Sequence, residues 1–516
     1  MRLTAVCLSL LALGATVAGC GTSNDDATLT MGLSTAPTTL DPSLAQVGWL
    51  VNGPIQLAYE PLIRMGNDGT LQPAIATGWK FVGSDNTKLS VSLRSGVKFA
   101  DGSPVTADAV VDSINHIRKA GGPNASAASL ISGAKKVDDS TVEVTATAPV
   151  PNLPALLTQS WLVGDVISPA GLAAGDKLAT TTYGAGPYTL DSSATVVGDT
   201  YTFTANPHYW NKARQAFKRV VVKVITDGNA LLNAMKSGQV DFAGGDWAAA
   251  SSAGSAGLKV SGVGNYFAGF FIVDRSGATS KPLGDVRVRQ AMNYAIDRAS
   301  IAKAVYRGYG RPTSALTSPG ADSYGKAVTE AYPYDPGKAK SLLAEAGYPT
   351  GVDVSLDGCK IQLRNCKLVQ QAMIDQLAKV GVRVHPEFGA DIATYTKMSL
   401  SKKYGLVYMS YGTSPFNLMH TSLASMLVTP YNPFGDSIPE VTALVRKADA
   451  TADTAERNGM YNRALTTLTE QAWFLPAVNH DTIYFSRARV GNVPDRYGAY
   501  ISAPDVTQFT AHAGSQ

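Results

Sequence analysis

Cysteine and histidine are scarce in this chain of 516 residues, which has four cysteines and six histidines. The histidines never recur at the spacing that would place two imidazoles on one face of a helix. No HExxH, CxxC or nucleophile-elbow pattern is present in the sequence. We therefore expect a protein that is not an enzyme, with no cofactor and no metal site.

Long apolar runs and a strong excess of one charge are also missing. Beyond the first twenty residues, no stretch approaches the roughly 18 uninterrupted apolar residues that a membrane-spanning helix requires. The formal net charge of +4 is too small to suggest a groove for nucleic acid. With 45% hydrophobic and 16% charged residues, the composition is that of a globular protein, and the chain is long enough for two or three domains.

A short apolar run opens the chain. Residues 8–18 follow Arg2 and are too few to span a bilayer, which is typical of a secretory signal. Residues 17–20, Val-Ala-Gly-Cys, resemble a bacterial lipobox, in which the signal is cut before the cysteine and the thiol carries lipid. We predict a lipoprotein signal peptide over residues 1–19, lipidation of Cys20 and a polar tether over residues 20–27.

The mature protein would then lie on the extracytoplasmic face of the cell membrane, held there by its lipid anchor. The alternative is an ordinary signal peptide with a chance cysteine at its end.

Cys7 leaves with the signal in either case, and Cys359 and Cys366 remain in the body. In an exported protein, two cysteines seven positions apart most simply form one local disulfide. A pair of free thiols and half of a metal site are the alternatives.

Strands and helices alternate along the mature chain, and capping residues and glycines mark the helix ends. Residues 88–93 alternate in polarity, as a half-buried strand does. Thr106 and Asp335 stand where each can cap a following helix. An apolar stripe over residues 369–380 stops at Gly381, before residues that favour a strand. This rhythm predicts α/β lobes with mixed sheets.

One segment of this pattern resembles the signature of a known family. Trp79 is followed by residues 89–110, LSVSLRSGVKFADGSPVTADAV. They closely resemble the signature of the large solute-binding proteins of ABC importers, the bacterial extracellular solute-binding proteins of family 5, whose members include oligopeptide-, dipeptide- and nickel-binding proteins. Six further segments resemble family motifs in the same order: residues 39–42, 59–62, 184–188, 206–210, 285–298 and 334–348.

The resemblance implies an α/β, two-lobed, periplasmic-binding-protein-like fold of type II, with an extra domain inserted in the first lobe. Lobe I would contain residues 28–75, 185–280 and 485–516. The inserted domain would span residues 76–184, and lobe II residues 281–484. Most of the matched motifs would be scaffold: a strand-to-helix turn and the ends of a charged helix, formed by Arg94, Asp101, Gly102, Arg287, Arg289, Asp297 and Arg298.

The resemblance also implies a function. The protein would be the substrate-binding lipoprotein of an ABC importer, capturing a peptide or peptide-like solute between its lobes. Its partners would be the solute, the membrane permease with its ATPase, and the membrane itself through the lipid anchor, and we expect a monomer that binds no nucleic acid. The alternatives are a binder of a metal chelate or oligosaccharide, a receptor that presents a captured signal, and a secreted hydrolase.

Positions within the family pattern imply where a ligand would bind. Peptide-binding relatives hold an extended peptide through strand-like backbone hydrogen bonds, which residues 46–49 and 409–414 would supply here. From these segments, the candidate ligand-binding residues are Gln46, Gly48, Trp49, Met409, Ser410, Tyr411, Gly412 and Thr413. Tyr266 is a further candidate as an aromatic residue that could line an apolar cleft, and Asn417 and Asn479 are polar candidates. Phe267, Phe416 and Trp473 are further aromatic candidates, although core packing is the more common role of such residues.

Residues 411–415 depart from the pattern of the peptide binders. Those proteins usually carry an aspartate in this stretch to pair with the amino terminus of the ligand, whereas this chain reads Tyr-Gly-Thr-Ser-Pro. A buried ammonium without a counter-charge is costly. The sequence therefore leaves open a peptide bound in another orientation, a blocked peptide, a glycan or a metal chelate.

Overall fold

The computed structural model describes residues 28–46, 49–317, 325–359, 365–390, 392–412, 432–494 and 504–512. Strands β1 to β19 span, in chain order, Thr28–Leu33, Ile63–Met65, Leu71–Pro73, Ala76–Phe81, Lys88–Leu93, Ile131–Asp138, Thr141–Ala146, Tyr188–Leu190, Thr200–Ala205, Arg219–Val224, Phe242–Gly245, Lys259–Ile272, Gly310–Pro312, Val352–Gly358, Val382–Phe388, Leu406–Gly412, Phe474–Ser486, Val490–Gly491 and Thr510–Ala511.

Helices α1 to α15 span Trp49–Ala58, Ala107–Lys119, Ala125–Ala128, Leu153–Leu156, Pro169–Ala173, Gly228–Lys236, Ala250–Ser255, Val286–Tyr294, Arg298–Tyr306, Lys326–Thr329, Pro336–Glu345, Cys366–Ala378, Ile392–Ser399, Pro439–Asp449 and Thr454–Glu470. Short 3-10 turns lie at Gly175–Ala179, Ser192–Ala194, Lys212–Arg214, Lys281–Gly284 and Val506–Gln508. None of the helices in the described ranges combines the length and the apolar character needed to cross a bilayer.

The capping residues identified in the sequence begin helices at the expected places. The Thr106 hydroxyl accepts a hydrogen bond from the Ala109 N–H across 3.2 Å at the start of α2. The Asp335 carboxylate accepts one from the Lys338 N–H across 2.8 Å at the start of α11. Gly381, with φ of +95°, makes the left-handed turn between α12 and β15, which glycine adopts without strain. These local predictions are confirmed.

One large sheet extends through both halves of the molecule. The first half contributes β1 and β8 to β11, and the second half contributes β14 to β16. Its strand order is β15-β14-β16-β12-β17-β11-β1-β10-β9-β8, and β13 also pairs with β17. Strands β14, β15 and β16 pair in parallel, as do β1, β10 and β11, whereas β12 and β17 run antiparallel to their neighbours. The sheet is therefore mixed, as predicted.

A second sheet of four antiparallel strands lies in the segment predicted as the inserted domain, residues 76–184. Its order is β4-β5-β7-β6. Its buried residues Val91 and Val142 belong to the same apolar cluster as Ile114 of α2 and Met31 of β1. The segment therefore shares one core with the strands of the first half and is packed directly against them.

Helices cover both faces of the large sheet in the second half. One apolar cluster includes Met292 of α8, Ile301 of α9 and Val369 of α12, the last of these from the predicted stripe. A separate cluster on the other side includes Val441 of α14 and Leu468 of α15. A sheet covered by helices on both faces is the α/β layer architecture that the sequence predicted.

Strands β12 and β17 connect the two halves. Residues 259–263 of β12 pair with residues 482–486 of β17, whose other edge pairs with β11. From Tyr266 onward, β12 also pairs with β16, and a shift of register separates Val263 from Tyr266. The chain thus crosses from one half to the other inside these two strands. The lobe limits at residues 280 and 485 stay predictions, and the pairing favours a first crossing nearer to the register shift.

Candidate functional site

Several predicted ligand-binding residues come together on three neighbouring strands at the crossing, the region in which β12 and β17 pass from one half of the molecule to the other. Residues 409–412 of β16 pair with residues 266–269 of β12. On the other edge of β12, Asn479 of β17 pairs with Phe267. The predicted residues that the structure brings together are Tyr266, Met409, Ser410, Tyr411, Gly412 and Asn479.

The remaining predicted residues are not joined to this group in the described part of the chain. Gln46 is exposed in the segment before α1, and Trp49 is the first residue of that helix. The rest lie outside the described residues: Gly48, Thr413, Phe416, Asn417 and the lipidation site Cys20.

Two of the further aromatic candidates are core residues. Phe267 is 1% exposed and packs in the cluster that α14 and α15 form with the sheet. Trp473 belongs to the same cluster, and the guanidinium carbon of Arg275 lies 3.9 Å from the centroid of its ring. Packing is therefore the role that the structure gives to both side chains.

His480 lies in a stack of aromatic rings at the crossing. The centroid of its ring is 4.5 Å from that of Tyr306 and 5.8 Å from that of Tyr266, and the rings are close to parallel in both pairs. Trp247 meets His480 edge-on, with 5.3 Å between the centroids. Trp247 follows β11 of the first half and Tyr306 ends α9 of the second. The stack therefore ties both halves to the crossing strands.

A buried ion pair lies beside Asn479. Arg311 Nη1 and Nη2 donate to Oδ1 and Oδ2 of Asp481 across 3.1 and 3.0 Å. The Asp481 side chain is fully buried, whereas that of Arg311 is 21% exposed. Burial raises the pKa of the Asp481 carboxyl, and the hydrogen bonds from Arg311 offset part of that rise. The Asp481 carbonyl also accepts the indole N–H of Trp247 across 3.0 Å.

Several buried polar atoms of the crossing strands have no hydrogen-bond partner within the described residues. Two of them, Nδ2 of Asn479 and Oγ of Ser410, belong to predicted ligand-binding residues. A buried polar atom left unpaired costs about 1–3 kcal/mol. A solute that brought a matching polar group to either position would recover that cost, so both positions suit ligand contact.

Sequence reasoning found Tyr266 and Asn479 but missed His480, Arg311 and Asp481. These residues are far from Tyr266 in the chain, and no motif surrounds them. A signal was present in the sequence: two titratable residues, at 480 and 481, lie between the apolar residues 474–478 and 483–485 of one strand. Charged residues are almost never fully buried unless they are paired, so Asp481 within such a strand points to a partner.

Three of the matched family motifs contact one another in the first half of the molecule. The Gly186 N–H donates to the Ala58 carbonyl across 2.9 Å, and Asn206 Nδ2 donates to the Gly186 carbonyl across 2.8 Å. The Tyr209 hydroxyl donates to the Glu60 carboxylate across 3.0 Å. Three motifs that are distant in sequence thus form one packed unit, which is a scaffold role.

The charged residues of the other motifs are likewise engaged in the fold. The carboxylates of Asp285 and Asp297 cap α8 and α9 by accepting backbone N–H groups. The buried guanidinium groups of Arg289 and Arg298 donate to backbone carbonyls. The Asp101 carboxylate accepts the Ser103 N–H and hydroxyl in the strand-to-helix turn, where Gly102 has a positive φ.

A disulfide joins Cys359, which follows β14, to Cys366 at the start of α12. The Gln370 side chain holds the same turn, accepting the Cys359 N–H across 2.9 Å and donating to its carbonyl across 3.0 Å. Within the ranges that the structure describes, no group of three or more His, Cys, Asp or Glu residues could hold a metal ion.

Comparison with known proteins gives related sequences over most of the chain. Heme-binding protein A of Haemophilus influenzae is 27% identical over 479 residues, which cover 86% of this chain and 85% of that protein. The glutathione-binding protein GsiB of Shigella dysenteriae is 26% identical over 500 residues, covering 91% and 92% of the two chains.

A solved structure supports the fold. The dipeptide-binding protein of Pseudoalteromonas sp. SM9913, in complex with Met-Leu, superposes with a TM-score of 0.74 at 22% identity, over 94% of this chain and all of the other. The family model of the bacterial extracellular solute-binding proteins, family 5 Middle, matches residues 70–431. The chain therefore belongs to the bacterial extracellular solute-binding proteins of family 5, the solute-binding proteins of ABC importers.

Proposed function

We propose that this protein is the lipid-anchored subunit that captures a peptide or peptide-like solute where β12 and β17 cross between the lobes, and delivers it to a membrane permease and its ATPase. The observation that carries the proposal is the pairing of these two strands with partners in both halves. A solute in contact with both halves is held best when they approach each other, so its binding favours the closed form.

The edge of β16 supports a peptide as the solute. Residues 409–412 extend the sheet toward the crossing, and an extended peptide can add hydrogen bonds to such backbone without demanding particular side chains. Two of the related proteins bind glutathione and a dipeptide, according to their names. Heme-binding protein A makes a metal chelate the second candidate class.

Native mass spectrometry followed by titration tests this function. Protein purified without unfolding is examined for bound mass, then stripped in denaturant, refolded and titrated with pooled tripeptides and with heme in a calorimeter. We expect peptide mass in the first experiment, heat of association with peptides in the second, and a smaller radius of gyration by X-ray scattering on binding. Binding of heme without binding of any peptide would overturn the preference for peptides.

The lipid anchor is tested separately in cells fed radiolabelled palmitate. The Cys20→Ser variant should lose the label and leave the membrane fraction, because Cys20 carries the lipid in our proposal. Cys7→Ser is the matched control, since Cys7 is removed with the signal peptide and its change should leave labelling intact. Equal labelling of both variants would contradict the anchor.

Release of intact peptide from the loaded protein would agree with a binding role and oppose hydrolysis.

A further inference from the structure

We propose that one end of the sheet in the first half is a basic surface that rests on the anionic lipid headgroups of the membrane. This inference rests on the lipid anchor of the proposed function and adds a second membrane contact, which the folded body makes. The surface is the end of the sheet at which Thr28 begins β1, and we call it the tether end.

The strand directions define what lies at the tether end. Thr28 pairs with Arg219, the first residue of β10, and the two strands are parallel. Strand β9 ends there because it is antiparallel to β10. Strand β11 is parallel to β1, and Ser486 near the end of the chain's path through β17 pairs with Phe242 of β11 and with Lys259 of β12. The connections at these strand ends therefore meet at the tether end.

The charged side chains of these connections are almost all positive. Residues 205–219, 234–241, 256–259 and 486–491 include eight basic residues and one acidic residue. The acidic residue, Asp241, is 2% exposed and accepts hydrogen bonds from Nε and Nη2 of Arg489, each across 2.7 Å. The basic residues are Lys212, Arg214, Lys218, Arg219, Lys236, Lys259, Arg487 and Arg489.

Three of these cations are open to solvent. Lys218, Arg219 and Lys236 are all exposed. The carboxylate of Asp191 lies 3.9 Å from the Arg219 guanidinium, which leaves the Arg219 side chain 49% exposed. Lys236 Nζ donates to the hydroxyl of Ser252 across 3.0 Å, and this neutral partner does not cancel its charge. All three positive charges can therefore attract phosphate groups outside the protein.

The opposite end of the same strands has the reverse charge. Asp199 precedes β9, Asp227 follows β10 and Asp246 follows β11, and all three aspartates are exposed. Lys223, near the end of β10, is the basic residue beside them. The charge of the first half is thus directional, and an anionic surface would draw the tether end toward itself.

The tether keeps this end close to the membrane. In the proposed function Cys20 carries the lipid, and Thr28 follows eight positions later. Eight residues span at most about 29 Å when fully extended. Such a short link gives the basic residues a high effective concentration at the headgroups. Asp25 and Asp26 add two negative charges to the tether, which the basic residues of the tether end outnumber.

An anionic phospholipid is the partner that fits this surface. Clusters of Lys and Arg next to a membrane anchor are attracted by acidic headgroups. The attraction falls off over a Debye length of about 8–10 Å at moderate salt, so it acts only on the end of the molecule that the tether holds near the bilayer.

The test measures binding to vesicles without help from the lipid. The mature full-length chain with Cys20→Ser is sedimented with phosphatidylcholine vesicles that contain or lack phosphatidylglycerol, at low ionic strength. We expect binding to the anionic vesicles alone. Adding Lys218→Gln, Arg219→Gln and Lys236→Gln should weaken it by about tenfold or more. Equal binding to both kinds of vesicle, or binding to neither, would overturn this inference.

A second triple variant controls for net charge. Lys340→Gln, Lys379→Gln and Lys397→Gln remove the same charge from exposed positions in the second half, and binding should stay within about twofold of the Cys20→Ser parent. An equal loss in both triple variants would show that net charge alone matters and would refute the assigned surface. This experiment involves neither anchor nor solute, so its failure would leave the proposed function standing.

The lipidated protein gives an independent measurement of orientation. When it is anchored in the two kinds of vesicle, hydrogen exchange should slow over residues 205–219 on the anionic vesicles and remain unchanged over residues 225–228 at the opposite end. Slower exchange at the opposite end would place another face at the membrane and overturn the inference. A parent protein that took up no palmitate in cells would instead remove the anchor from the proposed function.

Discussion

Arg64 and Asp505 are 441 positions apart in the chain, yet Nη1 of one lies 2.7 Å from Oδ2 of the other. Both side chains are buried, and Arg64 also pairs with Glu60. The negative charges raise the pKa of Arg64 against the effect of burial, so the guanidinium stays charged. The pair fastens the C-terminal segment of the chain to the first half of the molecule.

Arg64→Met should therefore lower the free energy of unfolding by about 3–5 kcal/mol, because it leaves Glu60 and Asp505 buried without their shared cation. Urea denaturation at neutral pH measures the change. Arg214→Met is the control: this arginine lies 3.3 Å from Asp505 and its side chain is 17% exposed. Its loss should cost less than half as much, and an equal cost would contradict the central role of Arg64.

Asp165 is expected to make stability depend on pH. Both of its carboxylate oxygens are buried with no hydrogen-bond partner in the part of the chain that is described. Burial raises the pKa of this carboxyl well above 3.8, and nearby Arg64 offsets part of the effect. As pH rises above about 4, the unfolded chain releases this proton and the folded chain keeps it, so stability falls.

Asp165→Asn cannot ionise and should unfold at higher urea concentration than the parent at pH 7. The gain should shrink toward zero as the pH falls to about 4. Asp353→Asn is a control of opposite sign, because hydrogen bonds from Arg383 lower the pKa of that exposed carboxyl. A gain for Asp165→Asn that was constant across this range of pH would rule out the ionisation of Asp165 as its cause.

Gly186 tolerates no side chain. An added Cβ would lie 2.4 Å from the carbonyl carbon of Ala58 and 2.6 Å from its oxygen, and both are backbone atoms at the end of α1. Gly186→Ala should lower the free energy of unfolding by about 1–3 kcal/mol or prevent folding, since the backbone must shift. Thermal unfolding followed by circular dichroism is the measurement.

Gly228→Ala is the matched control for this change. A Cβ at that position would meet nothing within 4 Å among the described residues, and the glycine is the first residue of α6. Its effect on stability should stay within about 0.5 kcal/mol. Equal destabilisation by the two alanines would show that loss of glycine itself, and not the close approach to Ala58, is responsible.

The disulfide between Cys359 and Cys366 closes a short loop, since the two cysteines are seven positions apart. Replacing both with serine should cost about 2–3 kcal/mol of stability, because the unfolded chain loses a constraint. In the parent protein, a maleimide should label neither residue until a reductant is added, as mass spectrometry of the native protein can determine. Ready labelling without reductant would contradict the bond.

Much of the fold follows from residues that are close together in the sequence. Thr106 and Asp335 begin helices because each offers an oxygen to an N–H three residues later, and Gly381 ends a turn that requires a positive φ. The family motifs also predicted the layered α/β architecture. They did not predict that the inserted segment shares its core with β1, because that depends on how two sheets pack.

The site was only partly predictable. Ser410 was identified through the resemblance, and Tyr266 and Asn479 were named as an aromatic and a polar candidate; the structure brings all three onto neighbouring strands. Arg311 and Asp481 were missed because their partnership requires β13 to lie beside β17 in one register. A slip of one residue would turn Arg311 to the opposite face and leave Asp481 buried without its partner.

The sequence by itself determined the helix starts, the glycine turns, the polarity of the strands and the family of this protein. Each of these depends on contacts among residues close in the chain or on a motif that can be read along it. Only the tertiary structure decided which strands cross between the halves and which charged side chains face one another there. Strand register is set by the burial of whole apolar faces, a cooperative property that no short segment contains.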